Sequence, residues 1–274
     1  MFGIITNLEI EENEKYVELI ISYLTSKNIS YYIAKVHQDK FKNYIYELPE
    51  NIDYIIVLGG DGTILQAAQN SIELNAPIIG FNTGTLGFLA EYNIENYKEI
   101  IDKVINKKYT IDERSMLNVF SNNKLIDKCL NDAIISRDGF SRIVSIEVVV
   151  NNKTINKYNG DGIVICTPTG STGYNLSLNG PIVSAKSKVI TVTPIAAHSL
   201  LSRSIVLDAS EEIEIKILES RKTQEKEAIL TCDGRRNIDL HSNDTITIKA
   251  AKETVKLLKM KDSNIFTICS EKLK

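Results

Sequence analysis

The sequence of 274 residues predicts an α/β domain with a mainly parallel sheet over residues 1–109, followed by an all-β sandwich domain over 110–261. Three observations carry that reading. Up to Asn106, short apolar runs alternate with apolar stripes at helical spacing. Beyond Tyr109 the runs are short, rich in β-branched residues and punctuated by Asn-Asn and Asp-Gly turns, with no helical stripe of useful length. The run Tyr54–Leu58 ends in a glycine pair, as a buried parallel strand does when it turns tightly into a helix.

Taken in order, Phe2–Thr6 predicts a first strand. Glu11, Glu12 and Glu14 suit the N-terminus of the helix whose buried stripe is Val17, Ile20, Ile21 and Leu24. Tyr31–Ala34 predicts a second strand closing a βαβ unit, and residues 37–51 a polar surface excursion. After Tyr54–Leu58 comes a helix beginning near Thr63, around Ile64–Ser71, then a short buried strand at Pro77–Gly80. Phe81–Ala90, with Gly84 and Gly87, describes a loop pressed against a ligand or a core edge, and Glu95–Asn106 a helix with Tyr97, Ile100, Ile101, Val104 and Ile105 on one stripe. In the second part, strands are expected at 117–120, 125–130, 133–135, 143–150, 154–158, 163–167, 189–193, 205–207, 213–218, 228–232, 245–248 and 254–258, with Asn151-Asn152 as a hairpin turn. Residues 262–274 are apolar enough in part to return to the first domain.

Composition narrows the functional classes. A net charge of -3, with lysines and glutamates interspersed, gives no nucleic-acid bias. No apolar run approaches membrane-spanning length, and the N-terminus passes from a few apolar residues into acids, unlike a signal peptide, so the cytoplasm is the expected compartment. Cys129, Cys166, Cys232 and Cys269 lie far apart in or beside apolar segments and read as small buried hydrophobes, not as a zinc site. No lysine of a GxxxxGK[ST] loop, no GxGxxG fingerprint and no GxSxG elbow is present, which disfavours P-loop, hydride-transfer and serine-hydrolase chemistry. His198, after a strand, reads more readily as structural than as catalytic.

What chemistry remains sits in two polar stretches. Gly59-Gly60-Asp61-Gly62-Thr63 joins a strand to a helix start, where unpaired backbone N–H groups and the helix dipole favour an anion and the glycines let a phosphate come close. Asp61 in its middle would repel that phosphate unless it holds a metal ion or takes the proton of a hydroxyl about to be phosphorylated. The run Thr167–Ser177, Thr-Pro-Thr-Gly-Ser-Thr-Gly-Tyr-Asn-Leu-Ser, follows a second glycine-flanked acid, Asp161, and carries hydroxyls and an amide able to hydrogen-bond a nucleotide.

Together these segments resemble the NAD kinase family, which phosphorylates NAD to NADP. The likeness consists of GGDGT at 59–63, NTGTLGFL at 82–89, ERSML at 113–117, NDA at 131–133, GDG at 160–162, TPTGSTGYNLS at 167–177, TPIAAHSL at 193–200 and CDGR at 232–235. GGDGT alone also fits the wider superfamily of lipid kinases and phosphofructokinases. The resemblance implies a Rossmann-like α/β N-terminal domain, a β-sandwich C-terminal domain, NAD held between them, and a homodimer or homotetramer. It implies Asp61 as general base toward the 2′-hydroxyl of the adenosine ribose, with Gly62 against that ribose. Gly59, Gly60, Gly62 and Thr63, with Mg²⁺ or another divalent ion, would position the phosphates of ATP or polyphosphate. Asn131 and Asp132 match the family's Asn-acid pair. Asp161 would contact the nicotinamide end, and Thr172, Gly173, Tyr174, Asn175, Leu176 and Ser177 would line the dinucleotide pocket, with Ala196 and Arg142 nearby.

Three positions depart from the family pattern. Asp132 stands where glutamate is common, and Gly173 where alanine is common. Asn159, counted with Arg235 among the candidate NAD-binding residues, stands where arginine is often found, and Arg203 or Arg235 is the expected substitute for a charged phosphate contact there. The competing readings are a lipid or small-metabolite kinase, which would need an apolar acceptor groove, and a non-catalytic NAD sensor, which would have no use for Asp61.

Overall fold

The computed structural model describes residues 1–6, 12–38, 44–84, 87–138, 143–197, 202–219 and 227–260. The chain divides into two compact units, one formed by Met1–Arg114 with the described residues from Thr254, the other by Ser115–Glu253. Residues 262–274, expected to return to the first domain, lie outside the described residues.

In the first unit the elements are β1 (Phe2–Thr6), α1 (Glu12–Ser26), β2 (Tyr31–Ile33), β3 (Lys35–Gln38), β4 (Tyr44–Glu47), β5 (Tyr54–Leu58), α2 (Asp61–Leu74), β6 (Ile78–Asn82), β7 (Tyr92–Asn93) and α3 (Tyr97–Ile105). The parallel order is β2-β1-β5-β6, with β7 also parallel to β6. β1 and β5 read Phe-Gly-Ile-Ile-Thr and Tyr-Ile-Ile-Val-Leu, apolar on both faces because helices cover both. On one face Ile4, Ile56 and Ile79 meet Ile20 and Leu24 of α1 and Ile101 and Val104 of α3. On the other, α2 buries Ile64, Ala67 and Ala68. Its Ile64 Cδ1 lies only 2.5 Å from where a side chain on Gly80 would begin.

Of the expected surface excursion over 37–51, the described residues, 37–38 and 44–51, include strand structure. β3 and β4 pair antiparallel, and Tyr46 is buried against α2, its hydroxyl donating to Gln66 Oε1 at 3.1 Å and its carbonyl accepting from Asn70 Nδ2 at 2.7 Å.

The second unit contains most of β8 (Thr110–Ser121), then β9 (Lys124–Cys129), β10 (Asp132–Arg137), β11 (Val144–Val150), β12 (Lys153–Gly160), β13 (Gly162–Cys166), α4 (Tyr174–Ser177), β14 (Val189–Ile195), β15 (Ile205–Asp208), β16 (Ile213–Leu218), β17 (Ala228–Cys232), β18 (Arg235–Leu240) and the start of β19 (Thr245–Lys259). One antiparallel layer runs β15-β14-β13-β10-β17-β18; the other runs β12-β11-β16-β19, with β8 paired to β19 and β9. Alternate residues make the core between them: Val144, Ile146, Val148, Ile213, Ile215 and Ile217 from one layer face Ile135, Ile163, Ile165, Val192 and Leu230 from the other. This is the expected sandwich. Asn151 and Asn152 have φ of 47° and 64°, the left-handed pair that a two-residue hairpin turn requires.

Two strand assignments change. β18 was not expected, because Arg235, Arg236, Asn237 and Asp239 look like loop chemistry, yet its backbone pairs along β17. The expected strands at 245–248 and 254–258 are one continuous β19, in whose middle Lys249, Lys252 and Glu253 are exposed and only Ala250 and Ala251 are half-buried, so the apolar signal there is weak. Cys129, Cys166 and Cys232 are buried, and Cys269 lies outside the described residues. Among the described residues no helix is long and apolar enough to cross a membrane.

Candidate functional site

In the first unit the site grows from the end of β5. Gly59 adopts φ 151°, and a Cβ there would fall 2.4 Å from Thr63 Oγ1, so only glycine lets the chain turn. Gly60 is the cap residue of α2, with no side chain capping the helix, and Asp61 is its first residue, earlier than the expected start near Thr63. Among the described residues no side chain caps the start of this 14-residue helix, where the N–H groups and the dipole favour an anion. Gly60 and Gly62 face open space, with nothing within 4 Å of an added Cβ, whereas Thr63 is buried. Thr6, at the end of the neighbouring β1 and paired with Leu58, is buried with no partner for its hydroxyl among the described residues. No sequence pattern pointed to it.

Asp61 is partly exposed, and its carboxylate is held by the loop that the sequence placed beside a ligand or core edge. Oδ2 accepts from the Phe88 N–H at 2.8 Å, and Oδ1 from Leu89 and Ala90 at 3.0 and 3.1 Å. A carboxylate offers about four lone-pair positions, so Oδ2 keeps one for a further donor. Gly87 makes the clamp possible: a Cβ there would lie 1.9 Å from Asp61 Oδ1. Thr85 and Leu86 of this loop lie outside the described residues.

In the second unit Asn131 and Asp132 sit at the start of β10. Asn131 Oδ1 is buried without a partner among the described residues, an acceptor that a ligand N–H or O–H would satisfy. Asp132 is buried, and burial first, then the charge of Asp233, pushes its carboxyl up to about 7. Gly170 packs directly on this pair, a Cβ there falling 2.1 Å from the Asn131 carbonyl oxygen. Gly173 is looser, with Asn131 Nδ2 and Asp132 Oδ2 at 3.4 and 3.5 Å from the Cβ position.

The polar run divides by role. Thr167, Ser171 and Asn175 face inward. Asn175 is fully buried, its amide donating to the Ser171 and Pro181 carbonyls at 3.1 Å and its Oδ1 accepting from Thr193 at 2.7 Å. The expectation that its side chain lines a dinucleotide pocket is corrected: it holds the loop together. Thr172, Gly173, Tyr174, Leu176 and Ser177 keep partial or full exposure. A short 3-10 turn at Gly170–Thr172 and α4 shape the run.

Asp161 lies at the β12–β13 junction, where its N–H donates to the Ile195 carbonyl at 2.9 Å. Gly160 allows the approach, since a Cβ there would lie 2.8 Å from Ala197 Cα and the Ile195 oxygen. Exposed Ala196 takes a left-handed φ of 44° beside it. Arg137 Nε donates to Asp161 Oδ1 at 2.8 Å. Sequence reasoning missed Arg137, which reaches Asp161 only through the β10–β13 register, Ser136 opposite Gly162. Asn159 is tied across the β11–β12 pair, accepting from Ser145 Oγ at 2.7 Å. Arg235 is not free to replace a charge there: its Nη2 donates to the Lys128 carbonyl at 3.0 Å and lies 3.7 Å from both Asp127 and Asp233. Arg203 is exposed. Arg142 and His198 lie outside the described residues.

No cluster of three or more His, Cys, Asp or Glu side chains able to hold a metal occurs among the described residues. A strand, a glycine turn, an uncapped helix and a clamped acid in one unit, and a polar loop in the other, have the features of a phosphoryl-transfer enzyme acting on a nucleotide. Comparison with known proteins agrees. Sequence models of the ATP-NAD kinase N-terminal and C-terminal domains match residues 9–109 and 130–260. The NAD kinase of Lachnoclostridium phytofermentans is 40% identical, across 99% of this chain and 98% of its own. That of Ruminiclostridium cellulolyticum is 34% identical, across 99% and 96%. Two solved structures share the fold: yeast NADH kinase complexed with NADH (TM-score 0.85, 24% identity, 99% of this chain and 86% of that one) and an NAD kinase from Archaeoglobus fulgidus in complex with ATP (0.79, 22%, 100% and 98%). The chain belongs to the NAD kinase family, and its activity is the phosphorylation of NAD.

Proposed function

We propose that the phosphoryl group comes from the terminal position of ATP and goes to the 2′-hydroxyl of the adenosine ribose of NAD, with Asp61 as the base at that hydroxyl. The observation that supports this most directly is the clamp on Asp61. Three backbone N–H groups fix the carboxylate at the mouth of an uncapped helix and leave Oδ2 one position for a hydroxyl proton. Phosphoryl transfer passes through a loose transition state, so orientation of the attacking oxygen counts for more than strong proton affinity. The N–H groups at the start of α2 and the Gly59–Thr63 loop would receive the donor phosphates. Asn131, Asp132, Asp161, Ala196 and the exposed part of the 172–177 run would hold the dinucleotide.

A divalent ion such as Mg²⁺ suits this site only as a companion of the donor. With Asp61 already accepting three N–H groups and no acidic cluster among the described residues, ATP phosphates and water would supply most of its ligands. When bound it would neutralise charge on the transferred group. The reading extends to a cytoplasmic homo-oligomer. Incubation of the protein with Mg-ATP and NAD, followed by phosphorus NMR of the product, tests the acceptor: a new 2′-phosphomonoester on the adenosine ribose is expected, and a phosphate on any other hydroxyl overturns the assignment.

A further inference from the structure

Asn131 and Asp132 stand at a break between β9 and β10, and their backbone is held in an unusual way. Six polar groups belong to the main chain of Leu130, Asn131 and Asp132, and two other residues satisfy all of them. The Asp233 carboxylate accepts the N–H groups of Leu130, Asn131 and Asp132 at 2.7, 2.7 and 3.0 Å. The Asp233 N–H returns a bond to the Asp132 carbonyl at 2.9 Å. Thr167 donates its N–H to the Asn131 carbonyl at 2.9 Å and its hydroxyl to the Leu130 carbonyl at 2.6 Å. Asp233 takes the left-handed φ of 47° that a β-branched residue would resist, followed by Gly234 at 69°, so the β17–β18 turn folds the carboxylate back onto the segment.

Asp233 is buried, and Arg235 Nη2 lies 3.7 Å from its carboxylate. A buried acid is costly to keep, and an ordinary turn would satisfy three N–H groups without one. What the acid adds is a single rigid point from which the directions of two successive side chains follow. We propose that Asp233 is a positioning residue for NAD binding: together with Thr167 it sets where Asn131 and Asp132 present their side chains to the dinucleotide. The proposal rests on the reading that Asn131 and Asp132 touch NAD.

The test is steady-state kinetics at saturating ATP. Asp233→Asn keeps the size but leaves one amide oxygen for three donors and turns an NH₂ group toward them. A KM for NAD raised at least about fivefold is expected, with kcat at saturating NAD within about threefold, because Asp61 and its clamp belong to the other unit. A purely structural role would lower the active fraction, and so kcat, while leaving KM alone. A KM change under fivefold, or a loss confined to kcat, overturns the proposal. Thr167→Val, which removes the hydroxyl's bond to the Leu130 carbonyl together with the one it accepts from the Gly170 N–H at 3.1 Å, decides on the same criteria if Asp233→Asn does not fold. Asn131→Ala separates the two readings. Unchanged KM there refutes the contact itself, and the proposal with it, whereas a raised KM there with normal KM in Asp233→Asn refutes the positioning alone.

Discussion

Gly87→Ala tests the clamp on Asp61 without touching the acid. The added Cβ would lie 1.9 Å from Asp61 Oδ1, 2.7 Å from its Cγ and 3.2 Å from the Ala90 nitrogen. No carbon sits that close to an oxygen, and the aspartate stem is too short to yield while keeping its bonds. The carboxylate must swing away, withdrawing Oδ1 from Leu89 and Ala90. Two hydrogen bonds to a charged group are together worth roughly 3–6 kcal/mol. Because Asp61 is partly exposed, water recovers part, leaving a loss of about 2–3 kcal/mol. In a chain of this size that lowers the apparent Tm by roughly 4–12 °C. Catalysis should suffer more, since displacing a reacting group by about 1 Å costs on the order of a hundredfold. The assay is NADP formation, read through an NADP-specific dehydrogenase, with a thermal unfolding curve on the same preparation. A folded variant whose kcat stays within about threefold of wild type would show that catalysis does not depend on where Asp61 is held.

Three further outcomes are expected. Asp61→Asn should lower kcat by about a hundredfold or more. It should also lower the apparent Tm, because one amide oxygen cannot serve Phe88, Leu89 and Ala90 as the carboxylate does; undiminished NADP formation would remove Asp61 from the chemistry. The buried Asp132 carboxyl titrates at about 7 in the folded chain against an ordinary 3.8. The folded state therefore holds a proton that the unfolded chain has released, and stability present below pH 4 is lost as pH rises through 7. Complete ionisation corresponds to on the order of 4 kcal/mol, so Asp132→Asn should gain in Tm relative to wild type between pH 5 and 9; a pH-independent difference would contradict this. Finally, Gly170→Ala, which drives a Cβ to 2.1 Å from the Asn131 carbonyl, should fold poorly or lose NAD affinity, whereas Gly173→Ala, with its nearest atom at 3.3 Å, should unfold within about 2 °C of wild type. Equal Tm losses in the two would reverse the account of how that loop packs.

Much of this protein is legible in its residues because the signals are local. An apolar run before two glycines announces β5 and the turn into α2. Alternating isoleucines announce the sandwich strands, and paired asparagines, tolerant of positive φ, announce the hairpin at Asn151-Asn152. Asp61 stood out because an acid conflicts with the phosphate seat around it. Pairing across distance was not legible. β18 and the middle of β19 are strands because neighbouring backbones offer hydrogen-bond partners, not because their side chains are apolar. Asn175 looked like a ligand contact, but only the packed loop turns its amide inward. The N–H groups that hold Asp61 come from residues 27–29 positions away, and those that Asp233 holds from 101–103. Residue types and short-range spacing thus determined the fold class and the kind of chemistry. The direction in which each carboxylate points was decided by tertiary structure, since a hydrogen bond depends on angle and distance in space and leaves no period in the chain.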